Sequence, residues 1–302
     1  MNYEQLLTDT ALHDERIIVM TAENRALVRN MGRALGNRFI DTGITEQTMI
    51  GMAAGLALRG RIPVVHALTP FLTMRAFEFI RTDVGIPGLP VKLSGYIPGF
   101  LSDGNGPTHQ AMEDVSLMRG IPGMEVYCPA DENDLLHMLP VVWASEKPAY
   151  VRINHTKGEF EHQPYEPGKA ELVAEGSDIT ILVYGFLFKN ALQTSRLLER
   201  RGYSVGLINM RSLKPVDEAA VIRAALQGGT LVTMEDHFST GGLYSIIAEV
   251  LLQARITAHV IPFALKERWF TPGLLAAVLE KEGFTPAQMA EKIVHDLQLV
   301  KK

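Results

Sequence analysis

The sequence predicts an α/β protein of two domains, each built on a mostly parallel sheet with helices on both faces. The first observation is a regular alternation of short β-branched runs with longer helical runs, which is typical of parallel sheets joined by crossover helices. The second is length, because 302 residues are enough for about two domains. The third is composition, since 47% hydrophobic residues supply a normal globular core.

The first domain is predicted to cover residues 1–160. One of its predicted helices contains the run GMAAGLAL, which has almost no polar face, so we expect that helix to be buried nearly all round. The predicted strands are Arg16–Met20, Pro63–Leu68, Pro90–Ser94, Met124–Cys128 and Ala149–Ile153, and the predicted helices are Gln47–Arg59, Leu72–Val84 and Asp131–Glu146.

The second domain is predicted to cover residues 178–302, after a linker at residues 161–177. The linker lies in a polar stretch that contains Gly and Pro and shows little periodicity. Strand–helix alternation then resumes, with strands predicted at the runs DITILVYG, SVGLINM, TLVTMED and AHVIPF. The predicted helices are Asn190–Arg201, Asp217–Leu226, Leu243–Gln253 and Pro286–Leu297.

Charge and composition exclude several classes of function. The net charge is −5 and the charges are well mixed, so no basic surface for nucleic acid is expected. No apolar run approaches the roughly 18 residues of a membrane helix, and the polar N-terminus does not resemble a signal peptide. The single cysteine, Cys128, cannot form an internal disulfide, and the nine histidines show no metal-binding pattern. We therefore expect a cytoplasmic protein that binds no nucleic acid or membrane and contributes no metal ligands.

An acidic residue, Glu46, stands where the small-residue helix begins, within DTGITEQTMIGMAAGLALRG. A carboxylate in the first turn of a helix commonly complements the helix dipole, so a structural role is one interpretation. The surrounding motifs favour a second interpretation, in which the carboxylate serves a ligand bound at the edge of an apolar helix.

Several stretches, in order and at similar spacing, resemble the transketolase family of thiamine-diphosphate enzymes, which includes deoxyxylulose-phosphate synthases. They are D-x-G-I-x-E-Q with G-x-A-A-G-L-A-x-x-G at 41–60, FLTMRAFEFIR at 71–81, DGNGPTHQ at 103–110, CPADENDLLHML at 128–139, AYVRIN at 149–154, INMRSLKPVD at 208–217 and VTMEDHFSTGGLYS at 232–245. The resemblance implies a pyrimidine-binding domain followed by a transketolase C-terminal-like domain. Within the last stretch, Glu235–His237 and Gly241–Gly242 are expected to be structural or interfacial.

The resemblance implies that Glu46 binds the pyrimidine ring of thiamine diphosphate. In that family the cofactor's 4′-amino group removes the C2 proton only as its imino tautomer, and a carboxylate hydrogen-bonded to N1′ promotes this tautomer. Apolar surroundings strengthen such a charge-assisted bond. Glu46 is therefore a catalytic and cofactor-binding candidate.

The same resemblance implies further cofactor-binding residues. The side chain that stacks on the pyrimidine is Phe71 when the motifs are aligned on Glu46, and Leu72 when they are aligned on Arg75, because one residue is inserted between. Arg75 belongs to the family's aromatic-and-arginine helix, and Glu23 stands where the family often has an aspartate facing the thiazolium. A core aromatic and a strand-end cap are the structural alternatives for Phe71 and Glu23.

Three residues are predicted to bind substrate. Asp103 and His109 lie on the loop SDGNGPTH, which is two residues longer than the family's DGPTH and too rich in Gly and Pro for regular structure. His109 can donate to a substrate oxygen or relay a proton, which makes it the second catalytic candidate. Arg152, at a predicted strand end, can hold a phosphate through two hydrogen bonds. A solvated turn and a surface ion pair are the alternatives for His109 and Arg152.

One part of the family's machinery is missing from the sequence. Family members bind the cofactor's diphosphate through a divalent cation, on a domain with GDG and a downstream Asn that does not occur here. We expect Mg²⁺ or a similar cation to be bound mainly by a partner subunit, in an α2β2 assembly. The predicted function is that of the C-terminal subunit of a two-chain transketolase, which transfers a two-carbon ketol unit from a ketose donor to an aldose acceptor. A β subunit of a 2-oxo acid dehydrogenase and a non-catalytic scaffold subunit are the alternatives.

Three positions depart from the residues with which the family usually holds a donor's phosphate. Where the resemblance implies a basic residue, this chain has Gly95. Where it implies a serine and an arginine, this chain has Leu27 and Asn2. Each charge-assisted bond contributes about 1.5–3 kcal/mol, so losing two or three weakens binding by orders of magnitude. We predict that the preferred donor is not an ordinary pentose or hexose phosphate bound in the usual way. The basic residues available to reach an anion from another direction are Arg25, Arg29 and Arg33.

Overall fold

The computed structural model describes residues 1–158, 160–227 and 229–300. These residues form two compact units. The first combines Met1–Pro98 with Leu117–Pro167, and the second combines Gly99–Ser116 with the residues from Gly168 onwards. Each unit is an α/β domain with a mostly parallel sheet, which confirms the predicted fold class.

The sheet of the first unit is parallel and its central strands are almost entirely buried. Burial on both faces explains why these strands are mostly apolar and show no alternation of apolar and polar residues. Each predicted strand is present, displaced by at most two residues. The strands are β1 (Ile17–Thr21), β2 (Phe39–Asp41), β3 (Ile62–Leu68), β4 (Lys92–Tyr96), β5 (Glu125–Tyr127) and β6 (Ala149–Ile153). Within the unit their order is β5-β6-β4-β3-β1-β2.

The helices of this part of the chain include several that the sequence analysis did not predict. The N-terminal helix begins at a capping box in which Asn2 Oδ1 accepts from the Gln5 backbone at 2.9 Å and Gln5 Oε1 accepts from the Asn2 backbone at 3.0 Å. This N-x-x-Q signal was visible in the sequence. The helices are α1 (Tyr3–His13), α2 (Met31–Leu35), α3 (Glu46–Leu58), α4 (Phe77–Phe79), α5 (Asp114–Arg119) and α6 (Glu132–Ala144).

The helix predicted at Leu72–Val84 is helical but irregular. Two π-helical segments, Phe71–Arg75 and Ile80–Gly85, flank the short α4. A π-turn contains one residue more than an α-turn, and such turns occur often at functional sites. The first π segment lies between the Glu46 and Arg75 motifs, where the resemblance implies one inserted residue.

The prediction that α3 is buried nearly all round is wrong for this chain by itself. Ala53 and Ala54 are buried, but Met52 is 41% exposed and Leu58 is 70% exposed. Gly51 and Gly55 are also exposed, and a Cβ atom at either glycine would have no neighbour within 4 Å among the described residues. The small residues thus leave a flat, apolar face uncovered.

The second unit has a sheet of strand order β12-β11-β8-β9-β7, in which only β7 is antiparallel to its neighbour. Its strands are β7 (Glu171–Ala174), β8 (Ile179–Val183), β9 (Val205–Asn209), β11 (Thr230–Phe238) and β12 (Val260–Leu265), and a further short strand, β10, is formed by Ser212–Lys214. The helices are α7 (Phe188–Glu199), α8 (Glu218–Leu226), α9 (Leu243–Ala254), α10 (Leu275–Glu282) and α11 (Pro286–Val300).

Two segments differ from the predicted domain organisation. Residues 171–174, expected in the linker, form β7, whose four residues are too few for their alternation to stand out from a polar stretch. Residues 99–116, expected in the first domain, belong to the second compact unit. Among the residues described, no helix combines the length and apolarity needed to cross a membrane.

Candidate active site

Glu46 is the first residue of α3, and its side chain is only 3% exposed. Arg75 Nη1 donates to Glu46 Oε2 at 3.0 Å. Within the described part of the chain, neither carboxylate oxygen accepts a backbone N–H, and Oε1 makes no hydrogen bond. Glu46 therefore does not cap α3 by hydrogen bonding, and Oε1 is available to a ligand.

Arg75 also contacts an aromatic ring. Its guanidinium carbon lies 4.1 Å from the centroid of the Phe71 ring, which is the arrangement of a cation–π interaction. Phe71 is partly exposed, whereas the neighbouring Leu72 is fully buried. Of the two stacking candidates, only Phe71 presents a side chain to a ligand in this structure.

Asp41, the last residue of β2, joins two loops at the carboxyl edge of the sheet. Its Oδ1 accepts from the backbone of Gly43 at 2.9 Å and of Glu23 at 3.1 Å, and its Oδ2 accepts from Arg25 Nε at 2.7 Å. Partial burial raises the pKa of the Asp41 carboxyl, but these hydrogen bonds outweigh it and hold the pKa below its usual range. The D-x-G pattern at Asp41 is a sequence signal for such a turn, but it does not show that Asp41 also binds the loop after β1.

Glu23 has an unusual backbone conformation. Its φ is 68°, in the left-handed region that few residues other than glycine adopt. The hydrogen bond from its N–H to Asp41 helps to hold this conformation, and its side chain is exposed. The structure thus places Glu23 on the loop after β1, at the sheet edge where parallel α/β domains bind ligands.

Asp103 and His109 lie in the segment Gly99–Ser116 of the second unit, and both are partly exposed. Asp103 has a φ of 23° and a ψ of −95°, which marks a sharp bend in the loop. Thr108 Oγ1 lies 3.0 Å from His109 Nδ1, so the hydroxyl orients the imidazole. Asp103 and His109 thus belong to a different unit from Glu46.

The core of the second unit anchors this loop. The Phe100 ring is fully buried, with its centroid 4.9 Å from that of Phe284 and 5.3 Å from that of Phe270. Gln110 Nε2 donates to the Phe270 carbonyl at 3.1 Å. At the start of the loop, Gly99 has a φ of 56°, and a Cβ atom there would lie 1.8 Å from an Asp236 carboxylate oxygen. Only glycine fits at that position.

Arg152 lies near the end of β6 and is 2% exposed, so the structure does not present it to a substrate phosphate. The three departures from the family's phosphate-binding pattern have structural roles. Asn2 caps α1, and Leu27 is buried in the core. A Cβ atom at Gly95 would lie 2.7 Å from Tyr150 and 2.9 Å from Thr69 Oγ1, which leaves no room for a cationic side chain.

Glu235 caps a helix of the second unit. Its two carboxylate oxygens accept from the backbone N–H groups of Leu243 at 2.6 Å and Tyr244 at 2.9 Å, at the start of α9. A Cβ atom at Gly242 would lie 2.0 Å from Glu235 Oε2. The Glu235–Gly242 arrangement is therefore structural.

A buried histidine in β3 lies behind the carboxyl edge of the first sheet. His66 Nε2 lies 2.7 Å from the Tyr3 hydroxyl, and its Nδ1 lies 3.0 Å from the Met20 carbonyl. Nδ1 therefore donates and Nε2 accepts. Complete burial lowers the pKa of His66 to about 4, so the ring is neutral at physiological pH. No sequence pattern marks His66, because one histidine in a mostly apolar strand is not distinctive.

These groups fit the pyrimidine half of thiamine diphosphate. A heteroaromatic ring needs a buried hydrogen-bonding group at its edge and an apolar surface against its face. Glu46 Oε1 provides the hydrogen-bonding group, and the Phe71 ring provides the apolar surface.

Comparison with known proteins gives matches over both units. Residues 2–159 match the model of the transketolase pyrimidine-binding domain, and residues 168–289 match the transketolase C-terminal domain. The chain is similar to the 6-deoxy-6-sulfo-D-fructose transketolase subunit SqwH of Clostridium sp. (strain MSTE9), with 39% identity over 82% of this chain and 79% of that protein. It is also similar to the 1-deoxy-D-xylulose-5-phosphate synthase of Heliobacterium modesticaldum, with 33% identity over 95% of this chain and 46% of that protein.

A solved structure described as a split-gene transketolase, inactive β4 tetramer, aligns with 31% identity and a TM-score of 0.88. The alignment covers 98% of this chain and 97% of that one. By contrast, the chain spans about half the length of the synthase. Two domain matches in the expected order, with a relative that is 39% identical over most of both chains, show that this chain belongs to the transketolase family.

Proposed function

We propose that this chain is the C-terminal subunit of a two-chain, thiamine-diphosphate-dependent transketolase, which transfers a two-carbon ketol unit from a ketose to an aldose. The observation that carries the proposal is the carboxylate of Glu46. It is buried at the start of α3, is oriented by Arg75 through Oε2, and has no partner at Oε1 among the described residues.

Each candidate residue has a proposed role. Thiamine diphosphate, when bound, supplies the carbon nucleophile that accepts the two-carbon unit. Glu46 Oε1 holds a proton at N1′ of the pyrimidine, Arg75 fixes the orientation of that carboxylate, and Phe71 offers its ring to the pyrimidine face. His109 exchanges a proton with a substrate oxygen. Glu23, on the loop after β1, and Asp103, on the Gly99–Ser116 segment of the second unit, orient cofactor and substrate.

A partner subunit is part of this proposal. The similar split-gene transketolase chain, which this chain covers to 97%, is described as forming an inactive β4 tetramer. The exposed face of α3 is apolar at Met52 and flat at Gly51 and Gly55, so another protein could pack closely against it. We propose that the partner supplies the diphosphate and Mg²⁺ site, covers this face and completes an α2β2 assembly.

The donor is proposed to carry an anionic group that is not bound in the usual way. Asn2 caps α1 and Leu27 lies in the core, so neither supplies a cation, and Gly95 has no room for a side chain. The relative that is 39% identical is named for a sulfonated ketose. A 6-sulfo ketose is therefore the proposed donor class.

The test is reconstitution of this chain with a partner that carries GDG and the downstream Asn. Ketol transfer is assayed with 6-deoxy-6-sulfofructose, fructose 6-phosphate and xylulose 5-phosphate as donors, and decarboxylation is assayed with 2-oxo acids. Ketol transfer that needs both chains supports the proposal. Turnover of 2-oxo acids alone would assign the chain to a dehydrogenase, and no cofactor binding by the pair would indicate a scaffold.

A further inference from the structure

A cleft with a volume of ≈ 550 Å³ opens in the first unit beside α2 and β2. Three arginines line it, together with the ring of Phe39 and the carboxylate of Asp41. The chain as a whole has a net charge of −5, so this concentration of positive charge is local. The arginines are Arg25, Arg29 and Arg33.

The positive charges of the cleft are only partly neutralised. Asp41 Oδ2 accepts from Arg25, which leaves Arg25 paired, and Asp41 Oδ1 is occupied by backbone N–H groups. Arg29 and Arg33 are exposed and make no ion pair or hydrogen bond within residues 1–158, 160–227 and 229–300. The nearby carboxylate of Glu4 is engaged by the side chain of Asn30 at 3.0 Å. Two guanidinium groups therefore lack a counter-charge.

The cleft also lies at the edge of the sheet that carries the candidate active site. Arg25 follows β1, and Asp41 ends β2 five residues before Glu46. Asp41 connects the two loops, because it binds the backbone of both Glu23 and Gly43. Ligands of parallel α/β sheets bind at this carboxyl edge.

We infer that Arg29 and Arg33 form the binding site for the terminal oxyanion, sulfonate or phosphate, of the ketose donor. A guanidinium group donates two parallel hydrogen bonds to such an anion, and the paired Arg25–Asp41 unit holds the wall of the cleft in place. The inference rests on the proposed function, and it names the residues that would replace the family's missing phosphate contacts.

The experiment compares three donors with the same carbon skeleton, namely 6-deoxy-6-sulfofructose, fructose 6-phosphate and fructose. In the reconstituted complex, Arg29→Gln and Arg33→Gln should each lower kcat/KM for an anionic donor by about tenfold or more, mainly through KM. Activity on fructose should change by less than about twofold, because fructose has no terminal anion. Preference for the sulfonate or the phosphate in the wild-type complex identifies the natural anion.

Arg59→Gln is the matched control. Arg59 is also exposed, but it follows α3 and precedes β3, at the opposite edge of the sheet. Arg59→Gln should leave kcat/KM unchanged for all three donors. Equal losses on fructose and the anionic donors, with weaker binding of the partner subunit, would overturn the inference and make the cleft a subunit interface. Unchanged kinetics in both arginine variants would also overturn it.

A binding measurement separates this inference from the proposed function. The full chain is titrated with methanesulfonate and with inorganic phosphate while its melting temperature is recorded. Saturable stabilisation that disappears in the Arg29→Gln, Arg33→Gln double variant supports the site even if the complex transfers ketol units from no donor. Equal stabilisation of the wild type and the double variant would place the anion elsewhere and contradict the inference.

Discussion

Arg75 and Glu46 form an ion pair of 3.0 Å between a π-helical turn and the first residue of α3. The arginine is 40% exposed at its side chain and the glutamate only 3%. The same guanidinium covers one face of Phe71. One side chain therefore orients the buried carboxylate and the ring that we propose to contact the cofactor.

Replacing Arg75 should destabilise the protein and disturb the site. Arg75→Gln leaves the buried Glu46 charge without its partner, and we expect a loss of about 1–3 kcal/mol in the free energy of unfolding. Arg75→Lys should lose less, because it keeps the charge. Urea unfolding of the full chain measures both. Arg81→Gln, an exposed arginine in the second π segment, is the control, and an equal loss there would show that the Glu46 contact is unimportant.

Gly55→Arg should weaken binding of the partner subunit without unfolding the chain. A Cβ atom at Gly55 would meet no described atom within 4 Å outside its own stretch of helix, and arginine is a good helix former. The melting temperature of the isolated chain should be unchanged or slightly higher, whereas the Kd for the partner should rise by at least about tenfold. His137→Arg, at an exposed position of α6, controls for added charge. Unaltered assembly in Gly55→Arg would mean that this face of α3 stays open to solvent.

Gly242→Ala should destabilise the second unit strongly. The new methyl group would overlap the Glu235 carboxylate, which must then release one or both N–H groups of α9. Lost capping bonds to a charged group cost about 2–4 kcal/mol. Chemical denaturation measures the loss, with Gly55→Ala, where no described atom is near, as the control. A Gly242→Ala variant as stable as the wild type would show that α9 does not depend on this cap.

Acid should weaken the fold through His66. Its folded pKa is about 4 and its ordinary value is 6.5, so the unfolded chain binds more protons between these values. Stability is therefore complete above pH 6.5 and falls as the pH decreases towards 4, by about 3 kcal/mol for this one group.

The check on His66 is a difference between variants. Urea unfolding at pH 4.5 and pH 7 should show a smaller pH dependence in His66→Gln than in the wild type, even if the variant is less stable at both. His137→Gln, in which an exposed histidine is replaced, should keep the full dependence. The same pH dependence in all three proteins would mean that His66 is not buried as a neutral ring.

The sequence predicted the architecture well because the buried strands leave a strong pattern. β6 is predicted to the residue, and β1 and β3 within one residue, since all are mostly apolar and contain β-branched residues. β2 and β7 were missed because three or four residues carry too little periodicity. The exposed face of α3 was missed for another reason: small residues suit a helix buried by its own chain and one buried by a partner equally well.

The candidate site was predictable in its residue types more than in its contacts. The motifs pointed to Glu46, Arg75 and Phe71, but no spacing shows that one guanidinium touches the other two. Asp41 was overlooked because its hydrogen bonds depend on two loops that are distant in sequence. Likewise, nothing local to the DGNGPTHQ segment shows that Phe100 packs it into the core of the second unit.

The central claim is that Glu46 binds and activates the cofactor, and one variant tests it most directly. Glu46→Gln keeps the shape of the side chain and removes its charge, so the fold should persist. In the reconstituted complex, we expect ketol transfer to fall by about 100-fold or more, the usual contribution of a positioned proton-transfer group, with the melting temperature nearly unchanged. Glu78→Gln, in α4, should be fully active. Near-normal turnover in a folded Glu46→Gln complex would contradict the account and leave Glu46 with a structural role only.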